Sequence, residues 1–196
     1  YSLPEPAVLE VWQETVPPGF RFAVKGSRYI THMKKLKDPE QGLGPFLERV
    51  SRLGDRLGPV LFQLPPRWAY NGERLEAFLE ALSPGLRYAF ELRDHSWLNE
   101  DAYERLARHG AAFCIYDLDG YQSPRPLTAD FVYVRLHGPD GPYRGCYDDA
   151  ALDAWAEALG AWRAQGRDVY CYFDNDQEGH AARNALALGA RLEGAG

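Results

Sequence analysis

Short runs of apolar, β-branched and aromatic residues recur along the chain at Phe20 to Lys25, Val60 to Leu64, Tyr88 to Leu92, Ala112 to Tyr116, Phe131 to Leu136 and Val169 to Phe173. Their length and composition predict strands, and their near-continuous hydrophobicity predicts strands covered on both faces. Between most of them the apolar positions change period. Leu43, Phe46, Leu47, Val50, Leu53 and Leu57 recur at helical spacing, as do Leu75, Phe78, Leu79 and Leu82. Leu152, Trp155, Ala156, Leu159 and Trp162 do the same, and Ala181, Ala182, Ala185, Leu186 and Leu188 close the chain. Each set gives a helix one apolar face. Glycine or proline punctuates most joints, at Pro17 to Gly19, Gly58 and Pro59, Pro84 and Gly85, Gly110 and Gly166. One joint departs from this rhythm: DLDGYQSPRPLTAD, from Asp117 to Asp130, reads as a loop where a helix is expected. Alternating helices and fully apolar strands predict an α/β protein with a parallel sheet covered by helices, leaving open sheet and barrel both open.

Length and composition fit one domain: 196 residues, 45% hydrophobic and 26% charged. The 22 basic and 28 acidic residues are mixed along the chain, giving a net charge of −6. That balance argues against general nucleic-acid binding. The mean hydropathy is −0.44, and no apolar run has the length of a membrane helix, so a soluble protein with no membrane partner is expected. The N-terminus shows no basic stretch followed by an apolar one, and it lacks an initiator methionine, Met33 being the sole methionine. A fragment of a longer chain, or one trimmed upstream, is expected. Cys114, Cys146 and Cys171 form no CxxC pair and predict reduced thiols in a cytoplasmic protein. Neither GxGxxG nor GxxxxGK[ST] is present.

In parallel α/β folds the functional groups stand at the carboxyl ends of strands. The six runs end at Lys25, Gln63, Glu91, Asp117, Arg135 with His137, and Asp174 with Asn175. Strands do end where water begins, but these residue types are also chemically complementary. Glu91 and Arg93 lie two apart and point the same way, as do Arg135 and His137. A guanidinium beside a carboxylate or an imidazole shifts proton affinities. Glu91 and Asp174 are the candidate proton-transfer pair, with His137 assisting. Lys25, Arg93 and Arg135 suit an anionic group, and Gln63 and Asn175 suit the neutral part of a substrate. Lys25 is alternatively a Schiff-base nucleophile, or simply a lysine paired with a carboxylate. His32 in the loop after the first strand, Asp117, and Tyr143 in the Gly- and Pro-rich loop RLHGPDGPYRGCY are further candidate contacts. The segment FDNDQEGHAARNA closes a strand and opens a helix near Gln177. His95, His109 and His180 show no metal spacing, and Trp68, Trp97, Trp155 and Trp162 are expected in the core.

The segments FRFAVKGSRYITH, GPVLFQLPPRW, YAFELRDHSW, YVRLHG and YFDND followed by NA resemble the successive motifs of the domain of unknown function 72 family, the YecE-like proteins. The resemblance runs from Tyr1 to about Leu188 and implies a TIM-type β/α-barrel with polar residues lining one mouth. It implies no particular reaction. Family members begin with two further strands whose motifs this sequence lacks, so the resemblance implies six parallel strands here in place of eight. It also implies that SLPEPAVLEVW is a helix following the second of those motifs. Asp174 stands where the family often has asparagine, which adds a possible acid or base.

These readings converge on an enzyme using acid/base residues at the strand ends on a small polar substrate, anionic or sugar-like, as lyase, isomerase or hydrolase. Two alternatives stay open. One is a divalent metal held by Glu91, His137 and Asp174 to cut a phosphodiester. The other is a metabolite-binding module without turnover.

Overall fold

The computed structural model describes residues 3–194. The chain divides into two compact units, Tyr1–Ala112 and Phe113–Gly196.

The first unit opens with helix α1 (Pro6–Thr15), which Pro6 starts at a position where its missing N–H costs nothing. Strand β1 (Phe22–Lys25) follows, beginning two residues later than its apolar run. Helix α2 (Pro39–Val50) carries Leu43, Phe46, Leu47 and Val50 on its buried face. The helical periodicity extends to Leu57, but the helix stops at Val50. Gly54, at φ +53°, breaks the following 3₁₀ turn, and Leu57 already belongs to strand β2 (Leu57–Gln63). Helix α3 (Gly72–Glu80) is capped by Asn71, whose side chain accepts from the Arg74 amide. Strand β3 (Tyr88–Glu91) and helix α4 (Glu100–Arg108), capped by Asn99, complete the unit. The three strands pair in parallel in the order β1–β2–β3. Phe62 of β2 is fully buried at the centre of an aromatic cluster, with ring centroids 5.0 Å from Phe78, 5.5 Å from Phe90 and 6.2 Å from Phe46.

The second unit contains β4 (Ala112–Leu118), β5 (Tyr121–Gln122), β6 (Phe131–Leu136), α5 (Asp149–Ala164), β7 (Asp168–Phe173) and α6 (His180–Glu193). β4, β6 and β7 pair in parallel in that order. The stretch Asp117 to Asp130 is not wholly loop, because β5 folds back antiparallel on the end of β4. The turn that permits this runs through Asp119 and Gly120, both at positive φ. α6 likewise begins later than Gln177: residues Gln177–Gly179 form a 3₁₀ turn, and Gly179 at φ +72° starts the helix. α5 is capped by Asp148 and buries Leu152, Trp155, Leu159 and Trp162. Trp68 and Trp97 are buried too, as expected.

The class is therefore α/β, with six of the eight parallel strands of a TIM-type β/α-barrel present among the described residues and helices alternating with them. The helix implied by SLPEPAVLEVW is found as α1 from Pro6 onward, with Ser2 outside the described residues. No helix among the described residues is long and apolar enough to cross a membrane. All three cysteines are free.

Candidate functional site

In the first unit, pairing register sets which polar side chains share a face. Lys25 lies opposite Leu61, Leu61 opposite Ala89, and Gln63 opposite Glu91. Paired residues of parallel strands point to the same side, so Lys25, Gln63 and Glu91 share one face. Glu91 is fully buried and ion-paired with Arg93, whose side chain is itself nearly enclosed. The neutralising guanidinium makes Glu91 part of a buried pair, a setting in which removing either partner is costly. Lys25 is exposed, and Gln63 half-buried. His32 is not in an irregular loop: it sits in a single π-helical turn, Tyr29–Met33, with Nδ1 2.8 Å from the Thr31 hydroxyl. Partial burial lowers its proton affinity, and the positive charges of Arg28 and Lys25 lower it further.

The second unit assembles a charged cluster at the ends of β6 and β7. Arg135 lies opposite Tyr172, which carries the same face onward to His137 and Asp174. One carboxylate oxygen lies within ion-pair distance of both: Asp174 Oδ2 is 2.9 Å from Arg135 Nη2 and 3.3 Å from His137 Nδ1. The three differ in access. The Asp174 side chain is 27% exposed, that of Arg135 10%, and His137 is wholly enclosed. Tyr143 covers His137, its ring edge-on at 5.5 Å and 85°. Tyr143 reaches that position from an unusual backbone, φ +65°, with its amide donating to the His137 carbonyl at 2.7 Å.

Asp117 and Asn175 do not join this face. Tyr116 is the β4 partner of Arg135, so Asp117, paired with Leu136, points to the opposite side. There Asp117 Oδ2 accepts from Gln122 Nε2 at 3.1 Å. Burial lifts its carboxyl above the ordinary aspartate range, against the lowering effect of that hydrogen bond and of the nearby Tyr147 hydroxyl. A carboxyl whose proton affinity is raised on folding contributes stability that is complete below the unfolded-state pKa and is lost as pH rises through the folded one. Asp117→Asn is therefore expected to melt higher than the parent at neutral pH, with the gap narrowing as pH falls through the raised folded-state pKa and gone below about 4, the free carboxyl value. Thermal melts across pH check this, and a gap that does not narrow in acid would remove the burial argument. Asn175, also fully buried, spends its amide protons on the Gly145 carbonyl at 2.8 Å and Asn184 Oδ1 at 2.9 Å. It holds a loop in place.

Asn184 was absent from the candidates read along the sequence. It lies on α6 and is 3% exposed, and its side chain bonds both the amide and the carbonyl of Tyr147. The only local sign is an asparagine among the small apolar residues of that helix. Among the described residues no group of three or more His, Cys, Asp or Glu side chains is arranged to hold a metal.

Parallel strands alternating with helices, with ionisable side chains gathered where β6 and β7 end, define an α/β protein of the β/α-barrel class with a polar strand-end site. The chain belongs to the family described as "Protein of unknown function DUF72", which it matches over residues 1–196. It is 30% identical over 113 residues to the UPF0759 protein YecE of Escherichia coli, a match covering 56% of this chain and 41% of YecE. That match therefore spans less than half of YecE. The UPF0759 protein YunF of Bacillus subtilis is 26% identical over 218 residues, covering 91% of this chain and 75% of YunF. Among solved structures, a DUF72 family protein from Thermotoga maritima superposes with a TM-score of 0.87 at 28% identity, covering 98% of this chain and 81% of that one. One from Enterococcus faecalis, at 22% identity, shares the fold with a TM-score of 0.84, covering 98% of this chain and 86% of that one.

Proposed function

We propose that this chain is an acid/base enzyme acting on a small anionic substrate, polar or sugar-like, at the ends of β6 and β7. The observation that carries the reading is the shared Asp174 Oδ2 between Arg135 and His137. Asp174 is the member a substrate reaches, and it gives or takes the proton. His137, enclosed behind it, is the group with which Asp174 exchanges that proton through Nδ1. Arg135 supplies the positive charge that holds an anion and steadies negative charge developing in the reaction. Lyase, isomerase and hydrolase chemistry all use such a set, and the barrel fold itself hosts many reactions. The same cluster without turnover is a metabolite-binding module, which the experiment below separates.

The test is a thermal-shift screen of the purified chain against small carboxylates, phosphate esters and sugar acids. A compound present at a hundred times its dissociation constant stabilises by about 2.7 kcal/mol. The expected result is a shift that disappears in Arg135→Ala. With such a compound in hand, Asp174→Asn is expected to keep binding within about tenfold while turnover falls by about 10²–10⁴. A shift that persists in Arg135→Ala would place the compound elsewhere and end the proposal. Binding through Arg135 without turnover in the parent protein would leave the binding module as the function.

A further inference from the structure

His137 is the one group of the cluster with no exposed surface, and the enclosure has a visible construction. The loop after β6 turns back on itself at Gly138, whose φ of +117° no side chain adopts easily and where a Cβ would collide with the Arg144 carbonyl oxygen. That fold-back brings the Tyr143 amide onto the His137 carbonyl and the Tyr143 ring onto the imidazole. Nothing about a tyrosine at φ +65° is intrinsically stable, so the surrounding contacts must hold it.

Those contacts meet at Asn184. Its Oδ1 accepts from the Tyr147 amide at 3.2 Å and from Asn175 Nδ2 at 2.9 Å, and its Nδ2 donates to the Tyr147 carbonyl at 3.0 Å. Tyr147 in turn accepts the Gly138 amide on its hydroxyl at 3.0 Å. Asn175, the neighbour of Asp174, also donates to Gly145 in the same loop. One buried asparagine on α6 thus ties the segment after His137 to the segment after Asp174.

We infer that Asn184 is a positioning residue that holds the Tyr143 loop closed over His137, so that the imidazole exchanges its proton through Asp174 and not directly with water. The Tyr143 ring seals the imidazole on one side, and the partly exposed Asp174 is reachable on the other. This deepens the acid/base reading of the site and rests on it, yet its test requires no ligand, so the two can fail separately.

The experiment follows the imidazole N–H proton of His137 by NMR in protein labelled with 15N-histidine. A proton shielded from water exchanges slowly and gives a one-bond correlation, whereas one open to water is lost by exchange. The chain has five histidines, and His137 is assigned by its loss in His137→Asn. The expected result is a sharp His137 signal in the parent. It should vanish in Tyr143→Gly, which removes the ring and suits the positive φ, and in Asn184→Ala, while the other histidines are unchanged. A merely structural Asn184 would lower the melting temperature and leave this signal in place. Tyr147→Phe, which removes only the hydroxyl that receives the Gly138 amide, gives the same readout should Asn184→Ala not fold. A His137 N–H signal that survives in a folded Tyr143→Gly, or in the folded Asn184→Ala or Tyr147→Phe protein, overturns the inference.

Discussion

Phe62→Ala is expected to lower the stability of the chain by about 3–5 kcal/mol, the range for emptying a fully enclosed phenylalanine site. The ring has no exposed surface and touches a second layer of rings from three different elements, Phe46 on α2, Phe78 on α3 and Phe90 on β3. These neighbours are held by their own helices and strands and cannot collapse far into the hole, so the cavity cost adds to the lost transfer energy. Gly26 shows how closely the space is filled, because a Cβ there would overlap the Phe62 ring. Phe62→Leu, which refills much of the volume, is expected to cost about half as much. Urea denaturation of the three proteins provides the measurement. A loss below about 1 kcal/mol for the alanine variant would mean that the cluster is not the core of this unit.

Asp174→Ala is the second large effect, about 2–3 kcal/mol of stability. Its origin is electrostatic. Removing the carboxylate leaves the largely buried Arg135 guanidinium without the oxygen 2.9 Å away, its ion-pair partner at the end of β7. Breaking a buried pair from one side strands a desolvated charge, typically at 3–5 kcal/mol. Here the 27% exposure of the Asp174 side chain lets water recover part of that. Replacing the guanidinium as well should restore most of the loss. The comparison is a double-mutant cycle of Asp174→Ala with Arg135→Met, read by denaturation. Coupling of about 1 kcal/mol or more is expected, and purely additive losses would show that the two side chains act independently.

Much of the fold was legible because it rests on short-range regularities. Six apolar runs became six parallel strands, and changes of period marked the helices between them. Asn71, Asn99 and Asp148 cap helices where the sequence turns from loop to periodic pattern. The errors were local as well. Periodicity carried α2 past Val50 because Leu53 and Leu57 continue the spacing, while the chain had already broken at Gly54. A two-residue strand was hidden in a Pro- and Gly-rich stretch because so short a pairing has no periodicity of its own.

The candidate site divides along the same line. That Arg135 and His137 share a face follows from their spacing along one strand. That Asp174 joins them follows only from the pairing of β6 with β7, and that Asp117 leaves them follows from the pairing of β4 with β6. A one-residue change of register would exchange these outcomes, since side chains alternate between faces. Asn175 likewise reads as a strand-end polar residue and is spent inside the loop clamp. Asn184 lies 37 residues from Tyr147, so its role has no local signature.

The sequence by itself determined the order of the six parallel strands, the parallel class, the buried tryptophans and the chemical types available at the strand ends. Each of these depends on backbone sterics and on the burial of nearby apolar residues. The tertiary structure alone decided which strand-end side chains share a face, which are enclosed, and which loop covers His137. Hydrogen-bond register and distant polar contacts set those relations, and their partners are brought together by folding and not by proximity along the chain.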